Sequence, residues 1–170
     1  FYGASAMSPA RLREGIEKWG HIFYQYFGQS EAPMALANMK KAEHDLSRPQ
    51  RLASCGRPAP WVHLALLDDD NRPVPVGQPG ELCVRAPLVM KGYRGDPEKT
   101  AEAIDSNGWL HTGDVAQIDA DGYVRIVDRK KEIIINSAGK NMSPANIELK
   151  LRASSRLIAH AVCIGDRRPY

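Results

Sequence analysis

The sequence has few of the residues that build disulfide frameworks, metal sites or membrane spans. Its three cysteines, Cys55, Cys83 and Cys163, are far apart and none belongs to a CxxC pair, which argues against a disulfide framework or a zinc knuckle. Five scattered histidines without an HExxH motif argue against a metal site on one helix. No apolar run approaches the roughly 18 residues of a membrane span, and no signal peptide opens the chain. These absences predict a cytoplasmic protein.

The chain also lacks an excess of charge of one sign. It has 23 basic and 20 acidic residues among 170, and the charges are interspersed. A nucleic-acid-binding protein would concentrate its basic residues on one face or along one helix. We therefore expect small-molecule partners and no nucleic acid, and a peripheral association with membranes stays open.

Cap and turn residues mark the regular elements of the first third. A helix is predicted between Ser8, a typical N-cap, and Gly20, with Trp19 on its packed face. The stretch HIFYQYF at 21–27 predicts a buried aromatic strand. Residues 34–60 carry little pattern and contain several prolines, which predicts a loop-rich crossing.

From Trp61 onward the pattern favours strands. WVHLALLD and GELCVRA predict two strands, and Asp96 predicts the cap of a short surface helix. The Asp121-Gly122 pair between alternating runs predicts a hairpin. A compact β-turn-α-β unit with a final strand, IAHAVCIG, follows Arg129, so we place a domain boundary there, between residues 1–128 and 129–170.

One segment with candidate chemistry is YFGQSE at 26–31. The ring of Phe27 offers a flat face for a base, and such stacking is worth roughly 1–3 kcal/mol. Ser30 and Glu31 are hard oxygen ligands of the kind that Mg²⁺ prefers beside substrate phosphates. The alternative for this segment alone is an ordinary strand end with a solvated turn.

A second candidate pair is Asp114 in TGD and Arg129 in DRKKE. A carboxylate held at a strand end after Gly113 would accept two hydrogen bonds from a ribose diol, each worth about 1.5–3 kcal/mol. The planar guanidinium of Arg129 suits ribose or phosphate oxygens. The alternatives are a turn aspartate and a surface arginine.

Taken together, five motifs resemble the adenylate-forming (AMP-binding) superfamily, which includes acyl-CoA synthetases, luciferases and peptide-synthetase adenylation domains. They are GAS at 3–5, YFGQSE at 26–31, GELCVRAPLVMKGY at 80–93, WLHTGD at 109–114 and GYVRIVDRKKEIIINSAGKNMSPANIE at 122–148. The form KKEIIINSAGKN is most similar to the branch that activates medium- to long-chain fatty acids. The resemblance implies a mixed α/β fold. Residues 1–128 would be the C-terminal portion of the large domain, including a β-rich subdomain, and residues 129–170 the first part of a small α+β lid domain.

The resemblance assigns the adenine side of the site to five residues. Gly3, Ala4 and Ser5 match the adenine-side strand, whose backbone also borders the acyl pocket. Phe27 matches the ring that stacks on adenine, where the family usually has tyrosine. Gly28 follows in the same cofactor-binding turn.

The resemblance assigns the rest of the nucleotide to four residues. Ser30 matches a threonine that contacts phosphate, and Glu31 matches the Mg²⁺ carboxylate, which makes it both a metal ligand and a candidate catalytic residue. Asp114 matches the ribose clamp, and Arg129 the second ribose contact.

Two further positions concern the small domain. Lys131, the second candidate catalytic residue, matches the hinge about which that domain turns. Gly139 matches a loop glycine beside the pantetheine tunnel. The cofactors implied are ATP/AMP, Mg²⁺ and coenzyme A, with a fatty acid as substrate.

Two parts that the family uses are missing from the 170 residues. The Ser/Thr/Gly-rich phosphate loop should precede Phe1, and the lysine that polarises the carboxylate should follow Tyr170. These parts supply much of the electrostatic stabilisation of the transition state. We therefore expect the chain to be an internal fragment of a fatty acid–CoA ligase, and we expect the fragment to be inactive alone. Two alternatives remain: an acyl-AMP ligase or adenylation domain that passes the acyl group to a carrier protein, and a non-catalytic nucleotide-binding module.

Overall fold

The computed structural model describes residues 1–3, 7–135, 141–155 and 157–165. Two short 3₁₀ helices lie at Lys41–Glu43 and Arg51–Ala53. The strands and α-helices in chain order are β1 (Tyr2–Gly3), α1 (Pro9–Trp19), β2 (Gln25–Gln29), β3 (Ala32–Met39), β4 (Arg57–Pro58), β5 (His63–Leu67), β6 (Gly80–Arg85), α2 (Pro97–Ala103), β7 (Leu110–Ile118), β8 (Val124–Arg129), β9 (Ile134–Ile135), β10 (Asn141–Met142) and α3 (Pro144–Ser154).

The first sheet has the strand order β1-β2-β3-β4, with β1 parallel to β2 and the other pairs antiparallel. Gly3 lies opposite Tyr26, and a Cβ at Gly3 would come within 2.3 Å of the Tyr26 carbonyl oxygen. This close approach requires glycine. The first sheet therefore brings the start of the chain against β2.

The prediction of a loop-rich crossing over 34–60 was wrong at its beginning, because β3 occupies Ala32–Met39. This strand is rich in alanine and lacks the β-branched residues that mark strands in sequence. Its pairing with β2 and the burial of Leu36, Ala37 and Met39 stabilise it. Tertiary contacts, not local propensity, decide this element.

Helix α1 forms as predicted, but one residue of its predicted packed face does not pack in the core. Leu12 and Ile16 are buried, whereas Trp19 is 59% exposed and borders Phe23. The aromatic strand begins at Gln25 rather than at residue 21, since its pairing with β1 starts there, and it is half-buried rather than buried as predicted.

The second sheet is an antiparallel meander in the order β5-β6-β7-β8. The predicted hairpin is confirmed: Gly122 has φ 80° in the turn between β7 and β8, and the Asp119 carboxylate accepts the amide of Asp121 at 3.0 Å. The predicted cap of α2 is also confirmed, with Asp96 accepting the Lys99 amide at 3.0 Å. Both are local signals, and both form where the sequence places them.

The two sheets share one hydrophobic core. It is formed by buried side chains from β3 and from all four strands of the second sheet, among them Leu36, Leu66, Leu82, Leu110 and Val124. Each fully buried leucine of this kind contributes about 1.5–3 kcal/mol relative to an exposed one. The mixed α/β fold expected from the resemblance is confirmed.

The last described elements attach to β8 through the start of α3. Ser143 caps this helix by accepting the Asn146 amide, and its hydroxyl also donates to the Val127 carbonyl at 3.1 Å. The predicted final strand was wrong, because residues 157–165 form no strand and the described residues offer it no pairing partner. The division at residue 128 stays a prediction, and β8 itself continues through Arg129.

No helix among the described residues combines the length and apolar character needed to cross a membrane.

Candidate active site

The predicted residues on β2, β7 and β8 come together where the two sheets meet. The side-chain amide of Gln29 donates to Asp114 Oδ2 at 2.8 Å. The guanidinium of Arg129 donates to Asp114 Oδ1 at 2.9 Å. One carboxylate is thus held by both sheets.

Asp114 lies inside β7 and not at a strand end, which corrects the prediction. Gly113 has φ 70°, a left-handed conformation that breaks the regular strand, and its carbonyl accepts the Lys130 amide at 2.7 Å. Asp114 is only 4% exposed. Burial raises the pKa of its carboxyl above the usual range, although Arg129 and Gln29 oppose that shift by stabilising the ionised form.

The described adenine-side residues, Gly3, Phe27 and Gly28, border two adjacent cavities. Phe27 packs against the shared core and borders a cavity of ≈ 350 Å³ that also contacts Asp114. A larger cleft of ≈ 1010 Å³ is bordered by Ser30 and Glu31. The residues common to both linings include Gly3, Gly28 and Arg129.

Glu31 lies in the turn between β2 and β3 and is fixed from two sides. The hydroxyl of Tyr93 donates to Glu31 Oε1 at 2.8 Å, and the amide of Met90 donates to the Glu31 carbonyl at 2.7 Å. The neighbouring Ser30 is exposed. Within the described part of the chain, no three His, Cys, Asp or Glu side chains cluster to hold a metal ion.

The chain beyond β8 is anchored at one residue and exposed at the next. Lys130 Nζ lies 3.0 Å from Asp69 Oδ1 and 3.0 Å from Glu81 Oε2. Both hydrogen bonds raise the pKa of Lys130. Lys131 is exposed and borders a cleft of ≈ 600 Å³ that Glu31 also lines.

The structure thus brings together most of the predicted site residues. Gly3, Phe27, Gly28, Ser30, Glu31, Asp114 and Arg129 surround the two cavities described above. Lys131 lies at the neighbouring cleft. The predicted residues Ala4, Ser5 and Gly139 lie outside the described residues.

Sequence reasoning missed two residues that hold the predicted carboxylates. Gln29 contacts Asp114 and Tyr93 contacts Glu31, across 85 and 62 positions of the chain. The available signal was their position inside two of the family motifs, since Gln29 is the fourth residue of YFGQSE and Tyr93 is the last residue of GELCVRAPLVMKGY. A motif position shows that a residue is near a site but not which atom it contacts.

The two-sheet fold and the residues around Asp114 and Glu31 are to be compared with those of known protein families. The sequence model of the AMP-binding enzyme family matches residues 1–94, more than half of the chain. The chain belongs to the AMP-binding enzyme family.

Two of the relatives that the chain matches are fatty-acid–CoA ligases. The chain is 47% identical over 148 residues to the medium/long-chain-fatty-acid–CoA ligase FadD8 of Mycobacterium tuberculosis, covering 87% of this chain and 25% of that protein. It is 44% identical over 137 residues to a long-chain-fatty-acid–CoA ligase of Escherichia coli, covering 78% of this chain and 23% of that protein. The chain therefore spans about a quarter of the length of these relatives.

A solved structure extends the similarity to three dimensions. The amide bond synthetase McbA of Marinactinospora thermotolerans superimposes with a TM-score of 0.81 at 37% identity, covering 89% of this chain and 30% of that one.

Proposed function

We propose that these residues belong to an ATP-dependent fatty acid–CoA ligase. The reaction joins a carboxylate to ATP as an acyl-adenylate with release of pyrophosphate, and coenzyme A then displaces AMP to form a thioester. Support comes from the family match and from the identity to two fatty-acid–CoA ligases. Because the chain spans about a quarter of those relatives, the activity is proposed for the complete protein that carries these residues.

The observation that carries the proposal is the buried Asp114 carboxylate, held between Gln29 and Arg129 beside the cavity that Phe27 lines. A carboxylate is a strong acceptor pair for two adjacent hydroxyl groups. Phe27 would stack on adenine, Asp114 would accept the ribose hydroxyls, and Arg129 would donate to ribose oxygens. The nucleotide would thus lie along the junction of the two sheets.

Glu31 and Ser30 would face the phosphates in this arrangement. Ser30 would donate its hydroxyl to a phosphate oxygen, and Glu31 would hold Mg²⁺ through a carboxylate oxygen. Bound Mg²⁺ would neutralise the negative charge that develops on the leaving pyrophosphate. The role of the chain is therefore positioning and charge stabilisation, without a protein nucleophile.

The second half-reaction would depend on the segment after β8. We propose that Lys131 is the hinge of a small lid domain that begins at residue 129, with residues 1–128 in the large domain. The anchored Lys130 beside the exposed Lys131 supports a change in backbone direction between those two positions. Ala4 and Ser5 would complete the adenine-side strand, and Gly139 the pantetheine tunnel, in a cytoplasmic enzyme.

A second candidate differs in the acyl acceptor. A solved structure 37% identical to this chain is described as an amide bond synthetase, which favours testing acceptors other than coenzyme A, a carrier-protein thiol included. Both candidates share acyl-adenylate formation.

The test uses the complete protein, purified and supplied with ATP, Mg²⁺ and a panel of carboxylic acids. We expect pyrophosphate release with fatty acids in the absence of coenzyme A, and a thioester when coenzyme A is added. Pyrophosphate release without a thioester would move the proposal to another acceptor. ATP binding without pyrophosphate release on any acid would identify a non-catalytic nucleotide-binding module.

A further inference from the structure

Gln29 lies at an irregularity of β2, where its pairing with β3 shifts register between Phe27 and Gln29. The side-chain nitrogen donates at 3.0 Å to the Thr112 carbonyl and at 2.8 Å to Asp114 Oδ2. Both partners are acceptors only, so the amide orientation is determined: the NH₂ group, not the oxygen, must face β7. The amide thus uses its two protons on two residues of β7 that are separated by Gly113.

The Asp114 carboxylate therefore has a different donor on each oxygen. Gln29 occupies Oδ2 and Arg129 occupies Oδ1. Each carboxylate oxygen has two lone pairs, so each retains acceptor capacity for one further hydroxyl group. Two donors on opposite oxygens also stop the carboxylate from rotating, which lowers the ordering cost when a ligand binds.

We infer that Gln29 is a positioning residue that holds Asp114 in the orientation needed to select ribonucleotides over deoxyribonucleotides, an inference that rests on the proposed function. The ligand class is a ribonucleoside triphosphate with both ribose hydroxyls. Gln29 acts through Asp114 and need not touch the nucleotide. The loss of Gln29 should therefore change the preference for ATP over deoxy-ATP and should not change the reaction of the acyl group.

A purely structural role for Gln29 makes a different prediction. The side chain joins β2 of the first sheet to β7 of the second, so its loss could simply loosen their junction. That would lower the thermal stability and weaken the binding of every nucleotide by a similar factor. The positioning role changes the ratio between nucleotides that differ in one hydroxyl, whereas a purely structural role does not.

The experiment replaces Gln29 by methionine, which keeps the side-chain length and removes both donors. Pyrophosphate release by the complete protein is measured with ATP, 2′-deoxy-ATP and 3′-deoxy-ATP, giving KM and kcat for each. The matched control is Gln117→Met, because Gln117 lies on β7, the strand that Gln29 contacts, and likewise donates its amide to a backbone carbonyl, that of Gly77 at 3.2 Å.

We expect Gln29→Met to raise the KM for ATP by about three- to tenfold, the equivalent of one lost hydrogen bond. We expect kcat to change little, and the preference for ATP over each deoxynucleotide to fall by a similar factor. Gln117→Met should retain the wild-type preference. If Gln29→Met does not fold, Gln29→Leu, which is smaller and also removes both donors, carries the same expectation.

Two outcomes separate this inference from the proposed function. A folded Gln29 variant with the wild-type preference between sugars would overturn the inference, even if all KM values rise. A wild-type protein that releases no pyrophosphate would overturn the proposed adenylation instead. A wild-type protein that uses deoxy-ATP as well as ATP would overturn the ribose assignment.

Discussion

Arg129 lies directly opposite Asp114 in the β7–β8 pairing, and its guanidinium donates a 2.9 Å hydrogen bond to Asp114 Oδ1. The hairpin thus converts a separation of fifteen residues into a contact between an exposed cation and a buried anion. Arg129 is 53% exposed on its side chain, whereas Asp114 is 6% exposed. The arginine therefore remains able to contact a ligand while it holds the carboxylate.

Replacing Asp114 by asparagine should weaken ATP binding without unfolding the protein. The amide keeps the shape but has one acceptor oxygen, so we expect the KM for ATP to rise about tenfold, equivalent to about 1.4 kcal/mol. Burial raises the folded-state pKa of Asp114, so the ionised carboxylate disfavours folding at neutral pH. The contribution of Asp114 to the free energy of unfolding is fully present only below the unfolded-state pKa, and it is lost as the pH rises through the folded-state pKa. We therefore expect the melting temperature of Asp114→Asn at pH 7 to equal or exceed that of the wild type.

The same substitution supplies the control for a pH profile. Lowering the pH through the raised pKa of Asp114, above the ordinary value of about 3.9, should protonate the carboxyl and reduce ATP affinity. The groups that contact or face Asp114 include Gln29, Arg129, Glu132 and Cys55. An ATP titration at each pH should show a decline in the wild type that is absent from Asp114→Asn. Parallel profiles for the two proteins would refute the assignment.

Replacing Glu31 by glutamine should affect the chemical step more than nucleotide affinity. Mg²⁺ held at this carboxylate would neutralise charge on the leaving pyrophosphate, so we expect kcat at saturating ATP to fall at least tenfold, about 1.4 kcal/mol. The Mg²⁺ concentration for half-maximal rate should also rise. Glu98→Gln, in the first turn of α2, is the matched control. Normal turnover of Glu31→Gln at limiting Mg²⁺ would exclude the metal role.

Tyr93→Phe tests how Glu31 is oriented. The Tyr93 hydroxyl donates to Glu31 Oε1 at 2.8 Å, and partners of this kind orient metal ligands. We expect the variant to require about tenfold more Mg²⁺ for half-maximal rate, the lower end of the roughly 10–100-fold effect that such partners have on metal affinity. The preference for ATP over 2′-deoxy-ATP should be unchanged. A lower Mg²⁺ requirement would instead mean that the tyrosine competes with the cation for Glu31.

Lys131→Pro tests the proposed hinge. Proline restricts φ to about −65° and removes the amide donor, so a backbone rotation at this position would be blocked. We expect the variant to retain much of the adenylation rate and to lose most of the thioester-forming rate. Lys131→Ala, which removes the charge and keeps backbone freedom, should retain both. Equal loss of both half-reactions in Lys131→Pro would indicate misfolding, and no loss would place the hinge elsewhere.

The sequence alone was sufficient where the signal is local. Asp96 caps its helix as predicted, since a side-chain acceptor three residues before an amide is a short-range arrangement. Ser8, the other predicted cap, precedes α1 without a side-chain capping hydrogen bond. The Asp121-Gly122 turn likewise forms between alternating strands. The family, too, follows from short motifs that keep their residue types and order.

Only the tertiary structure decided the contacts between distant segments. Strand β3 exists because β2 pairs with it and the shared core buries it, and the alanine-rich sequence carries little strand preference of its own. The residues at 157–165 have the apolar pattern of a strand but form none, because a strand needs a neighbour and the described residues provide none. Gln29 and Tyr93 were inside recognised motifs, yet their bonds to Asp114 and Glu31 depend on how the sheet and the loop after β6 are placed. Motifs specify residue types at local spacing, whereas the choice of hydrogen-bond partner across 60 or more residues is made by the packing of the fold.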